Sequence, residues 1–99
     1  MTELPRPVRT IRLLRRPSAV RAGVFCVQYG YERAFYPFRE IRCDIGGRGF
    51  AVHRWGTRRI YHVRVGAPEE CSCECKGFLF RRRCRHVQGL LILIRAGKL

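Results

Sequence analysis

Apolar and polar positions alternate through the middle of the chain, and the period lengthens only near its end. Val24, Phe25, Val27 and Tyr29 fall within the stretch 20–31, which reads as a strand. Phe35, Phe38, Ile41, Cys43 and Ile45 mark a second strand over 35–45, alternating strictly from Ile41 onward. Gly46-Gly47-Arg48-Gly49 then signals a turn. Phe50–Trp55 and Arg59–Val65 form the clearest hairpin, joined at Gly56-Thr57, with Tyr61, Val63 and Val65 on one face. After a cysteine-rich stretch, Val87, Leu90, Leu91 and Ile94 recur at i, i+3, i+4 and i+7, one stripe of a helix that Gly97 ends. Gly89 inside this helix is expected to let it approach the hairpin closely. The fold class is therefore α+β: an antiparallel β-hairpin or short sheet, a cysteine knuckle and a C-terminal helix.

A chain of 99 residues suits one small domain with a modest core. Residues 1–19 carry spaced arginines with Pro5, Pro7 and Pro17, and read as a flexible basic arm with a short strand near Thr10–Leu14. Residues 20–99 read as the domain itself, with 49–99 as its cysteine-bearing module. Met1–Pro17 contains no apolar core of a secretory signal, and its prolines interrupt the amphipathic helix that an organelle-targeting segment needs. The longest apolar run, Leu90–Ile94, is only five residues, far short of a membrane span. The expected location is the cytoplasm, or the nucleoid within it.

Charge narrows the choice of partner. Lysine and arginine number 21 against 7 acidic residues, a formal +14, and Lys76 and Lys98 are the only lysines. Arginine forks onto phosphate and stacks on bases, which lysine does less well. The expected partner is nucleic acid, DNA ahead of RNA, with an acidic protein as the alternative. No membrane and no small-molecule substrate is expected.

The chemistry lies in Cys71-Ser72-Cys73-Glu74-Cys75 and, further on, Cys84-Arg85-His86. In a reducing compartment, clustered cysteines read as metal ligands before disulfides. Two close pairs joined by a loop supply the four soft or borderline donors that a structural zinc ion takes in a tetrahedron. Spacing alone leaves open whether the first pair is Cys71 with Cys73 or Cys73 with Cys75. The second pair falls at the start of the predicted helix, where free N–H groups and the helix dipole favour the net negative charge of three thiolates on zinc. A closed four-ligand site leaves no position for substrate. No glutamate, nor the lone Asp44, forms a catalytic pattern with a histidine or serine, so no enzyme is expected.

The run Cys73-Glu74-Cys75, eight residues, then Cys84-Arg85-His86 resembles the SWIM-type zinc finger. Lys76-Gly77-Phe78 and the ending Ala96-Gly97-Lys98-Leu99 are similar to small bacterial members of that family. The resemblance implies a ββα-like fold around one structural Zn2+ held by Cys73, Cys75, Cys84 and His86, with Cys71 as a spare loop thiol. It also implies a role in binding DNA or other proteins.

Around this centre, Arg81, Arg82, Arg83 and Arg85, with Arg58 and Arg59 on the hairpin, are the candidate phosphate contacts, and Arg54 and Arg64 would extend them. Trp55 and Tyr61 offer rings for stacking. Phe78 and Phe80 are expected to pack over the metal. Cys26 and Cys43 read as core residues within strands, and His53 and His62 as surface or packing residues.

Overall fold

Six strands follow one another in chain order in a computed structural model of the protein, which describes residues 9–99. They are β1 (Arg9–Arg15), β2 (Gly23–Tyr29), β3 (Glu32–Ile41), β4 (Arg48–His53), β5 (Ile60–Val65) and β6 (Ser72–Cys73). Each pairs antiparallel with its sequence neighbour, giving a single sheet of order β1-β2-β3-β4-β5-β6. A 3-10 turn, Pro68–Glu70, separates β5 from β6, and two helices follow: α1 (Lys76–Arg81) and α2 (Arg85–Arg95). The architecture is α+β, an antiparallel sheet followed by a cysteine knuckle and a C-terminal helical region.

Alternation builds one covered face. Phe25 and Val27 of β2, Tyr36 and Phe38 of β3, Phe50 and Val52 of β4, and Val63 and Val65 of β5 are all buried and form the core with Val87, Leu90 and Leu93 of α2. Register keeps them on that face, since Phe25 lies opposite Tyr36, Phe38 opposite Val52, and Phe50 opposite Val63. The Phe25 ring stacks on Tyr36 at 5.1 Å between centroids and tilts against Phe38 at 5.5 Å.

Three features depart from the sequence reading. The short strand expected near Thr10–Leu14 runs from Arg9 to Arg15 and joins the sheet as its edge, so this part of the expected arm belongs to the domain; residues 1–8 lie outside the described residues. Within β1, Ile11 and Leu13 lie opposite Val27 and Phe25 and pack on the core, which leaves Arg12 and Arg15 outward. A basic strand at a sheet edge also discourages pairing with another chain. The second strand ends at Ile41 rather than Ile45, because pairing with β4 stops at Ile41 opposite Gly49. Cys43 then turns its thiol to the Gly46 carbonyl, 3.2 Å away, and Ile45 is exposed.

The helix stripe is the third. Leu90 and Leu93 are fully buried, whereas Leu91 and Ile94 are only partly covered. The inward face of α2 runs through His86, Leu90 and Leu93 at i, i+4 and i+7, with Val87 beside them. His86 sets this rotation, because it must face the cysteines. The close approach at Gly89 is to β2 rather than to the β4–β5 hairpin. A Cβ on Gly89 would stand 2.8 Å from the Phe25 ring.

Two testable consequences follow from this packing. Phe25 is held between Tyr36 and Phe38 and cannot yield, so Gly89→Ala should destabilise the fold by about 1–2 kcal/mol in chemical denaturation, overpacking outweighing the better helix propensity of alanine. At the far end of the core, Arg48 pairs with Glu40 at 2.7 Å, lies over the Phe50 ring, and donates to the main-chain oxygen of Leu99 at 3.2 Å. The Arg48 hydrogen bond holds the Glu40 carboxyl below the ordinary carboxylate range. A depressed folded pKa adds stability above the unfolded value and loses it as pH falls through the folded value. Both side chains are more than a third exposed, so Glu40→Gln should lower stability near neutral pH by less than about 1 kcal/mol. The difference from the parent should shrink in acid.

Candidate metal centre

Cys73, Cys75, Cys84 and His86 come together where the last strand meets both helices. One ligand atom from each lies within 4.8 Å of all the others. Cys73, Cys75 and His86 are buried and Cys84 is half-buried. Cys71 stands outside the cluster, its thiol directed to the carbonyls of Ala67 and Gly66 at 3.5 and 3.7 Å. Among the described residues, the geometry thus groups the second of the two adjacent cysteine pairs that spacing leaves open.

Local sequence explains how each donor is presented. Cys73 ends β6 opposite Val63, so its side chain points to the covered face. Cys75 is the N-cap of α1 and Cys84 the N-cap of α2. The Cys84 sulfur accepts the Val87 N–H at 3.5 Å, as a capping oxygen does in other helices. Between them, Arg82 takes a left-handed backbone, φ 59°, and its N–H caps α1 by donating to the Phe78 carbonyl at 2.8 Å. That reversal folds the segment between the cysteine pairs back on itself. The sequence placed a loop here and missed α1, whose six residues show no helical stripe.

His86 is fixed by rings. Tyr36 meets it edge-on at 5.2 Å and Tyr61 tilts against it at 5.1 Å. Its Nδ1 lies 3.6 Å from the Cys73 sulfur. Tetrahedral zinc with its usual bond lengths sets sulfur and nitrogen ligands roughly 3.5 Å apart, so this separation fits a shared ion. The donor set, three sulfurs and one imidazole nitrogen, is also one of the sets that structural zinc takes.

One thiol of the cluster, Cys84, is prepared to ionise at the expense of its neighbour. A hydrogen bond with Cys73 comes first in pulling Cys84 down to about 4, with help from His86 and the Val87 N–H. The same bond to Cys84, together with burial, raises Cys73. The pair therefore shares a proton that a bound metal ion would displace. Neither tyrosine was singled out in sequence as a support for the histidine, although Tyr36 carried the signal of lying in register with Phe38.

Of the six candidate arginines, Arg59, Arg81, Arg83 and Arg85 line one cleft of about 740 Å³ that opens onto the donors Cys75, Cys84 and His86, and Arg58 and Arg82 do not. The αL turn at Arg82 separates it from its neighbours. Among the described residues Arg9 and Arg54 complete the cleft's arginines, Lys76 adds another cation and no carboxylate lines it. Arg9 escaped notice because its cationic strand read as an arm. Arg64, expected to extend the surface, instead donates to the carbonyls of Gly46 and Ile45, both at 2.7 Å. Phe78 is buried in the core, but Phe80 is 82% exposed and covers nothing. His53 bonds the Thr57 carbonyl, and His62 engages Glu74, so neither joins the cluster. Among the described residues no helix is long and apolar enough to cross a membrane.

The cluster gives a direct test. Metal analysis of the purified protein should find one zinc per chain, retained in Cys71→Ser and lost in Cys84→Ser. Removing it by chelation should unfold at least the C-terminal third, since coupled zinc binding contributes on the order of 10 kcal/mol. An unchanged cooperative melt after chelation would remove the structural role.

No curated protein and no solved structure matches the chain. Compared with known families, residues 61–94 match the SWIM zinc finger. The match begins in β5 and ends in α2, and it encloses all four clustered donors. Over residues 61–94 the chain is similar to the SWIM zinc finger.

Proposed function

We propose that the protein is a nucleic-acid-binding module in which Cys73, Cys75, Cys84 and His86 hold one structural zinc ion and shape an arginine-lined cleft beside it. The observation that carries this reading is the cleft itself, which among the described residues has six arginines and a lysine in its lining and no carboxylate. Confined cations without counter-charges focus a positive potential, and phosphodiesters are the abundant polymer that satisfies it. The cleft's wall includes the start of α2, whose N–H groups add to the field. DNA is the first target, ahead of RNA, in the cytoplasm or on the nucleoid. On this reading zinc contributes no chemistry beyond folding, because four protein ligands fill its coordination.

A protein-docking role is favoured by one observation, the exposed Leu79 and Phe80 on α1. Two apolar side chains make a small patch beside seven cations, so we rank it second. An acidic protein would be the partner in that case.

The test is a titration of the zinc-loaded chain against labelled single- and double-stranded DNA and RNA at several salt concentrations. Binding should weaken steeply as salt rises. For duplex DNA, each of Arg59→Gln, Arg81→Gln and Arg83→Gln should reduce the salt slope by about one unit. Arg58→Gln and Arg82→Gln, outside the cleft, should leave it nearly unchanged. Equal losses from both sets would mean generic attraction to the net charge, and no binding at moderate salt would favour a protein partner.

A further inference from the structure

The covered face of the sheet meets α2; among the described residues no helix lies on the other face. Register defines what that open face carries. Arg12 of β1 lies opposite Cys26 of β2, and Cys26 opposite Phe35 of β3. The β3–β4 register, Phe38 opposite Val52, sets Trp55 opposite Phe35 when extended three residues, and the Trp55 N–H donates to the Phe35 carbonyl at 2.9 Å. One row across the sheet thus reads arginine, cysteine, phenylalanine, tryptophan. Along β3 the same face reads Arg33, Phe35, Pro37, Arg39.

Both rings are wet. Phe35 is 39% exposed and Trp55 71%. Other apolar side chains are exposed elsewhere on the domain, but these two are aromatic rings on neighbouring strands at one height, and together they form a platform. Its surroundings are cationic. Arg12, Arg33 and Arg39 are exposed and have no carboxylate partner among the described residues. Among the described residues no strand position on this face is a carboxylate; Glu74, just beyond β6, reaches it only to engage His62. An apolar protein partner would have to leave those arginines unpaired. A duplex would present its phosphates, but its bases stay stacked on each other and out of reach of the rings. An unpaired strand satisfies both features, since bases stack on aromatic side chains displayed on a sheet while arginines take the phosphates.

We infer that the open sheet face is a second, separate binding surface, on which Phe35 and Trp55 stack the bases of a single-stranded nucleic acid and Arg12, Arg33 and Arg39 hold its backbone. The face is on the opposite side of the sheet from the cleft and does not need the cleft to bind nucleic acid. The hairpin joining β4 to β5 divides the two surfaces: Arg54 lines the cleft and the next residue, Trp55, belongs to the platform.

Trp55 is the sole tryptophan, so its fluorescence reports on this face alone. The zinc-loaded chain is titrated with oligo-dT and oligo-U of roughly ten nucleotides, with the corresponding duplexes, and with inorganic polyphosphate of equal charge. Single strands should quench Trp55, and duplexes and polyphosphate should not. Phe35→Ala should weaken single-strand binding roughly tenfold, within the range of losses for removing one stacking ring, and Phe35→Tyr should retain it. Circular dichroism of Phe35→Ala checks that the sheet is intact, and Trp55→Ala, at a more exposed position, gives an independent loss of affinity measured by anisotropy. Quenching that persists in Arg81→Gln/Arg83→Gln supports this surface even if the cleft proves not to bind nucleic acid. Equal quenching by polyphosphate and single strands, or unchanged affinity in both Phe35→Ala and Trp55→Ala, overturns it, whatever the cleft does.

Discussion

The orientation of α2 against the sheet governs most of what surrounds it. That helix has to present His86 to the cysteines at one end and Leu90 and Leu93 to the core further along, and a single rotation satisfies both. The rotation brings Gly89 onto the Phe25 ring, so nothing larger fits there. Tyr36 then serves two ends at once. Its ring stacks on Phe25 in the apolar core and meets His86 edge-on at the metal centre. The hydrophobic core and the donor cluster are therefore one packed body, and a change in either is felt by the other.

Charge follows from that arrangement. Two short connections, Cys75 into α1 and Cys84 into α2, end at helix N-termini that converge on the cysteines. Partial positive charge there favours thiolates, and the arginines nearby add to it. Arg81, Arg83 and Arg85 line the cleft that these helix ends border. A metal centre of this kind thus carries its own reason for being surrounded by arginine, apart from any partner.

Much of this was legible in the chain. The hairpin of β4 and β5, the C-terminal helix and the four clustered donors all announce themselves through alternation, a 3.6-residue stripe and ligand spacing. What escaped had no periodic signature. A short strand near Thr10–Leu14 was legible but its place in the sheet was not, since Ile11 and Leu13 stand among arginines and only pairing with β2 shows them turned to the core. α1 is too short to show a stripe and is held by a left-handed residue that is not glycine. Ile41, Cys43 and Ile45 do alternate, yet the chain leaves the sheet there because β4 offers no further partner. The arginine run reads as one surface in sequence, but the reversal at Arg82 divides it. Arg9 reaches the cleft from the opposite end of the chain, a proximity that only the folded sheet creates.

The sheet is a pure meander, in which every strand lies beside the strand that precedes it in the chain. The four donors likewise come from one short stretch. Closing such loops sacrifices little chain entropy, so each hairpin can template the next. Contacts of this local kind go with rapid folding, and they leave few ways for a strand to insert in the wrong order. The helix is the exception: it must return across the sheet to β1 and β2, and it can do so only after they have paired. Assembly of the covered face is then expected to end with α2 settling onto a sheet already in register, with Gly89 closing onto Phe25 as the last tight fit.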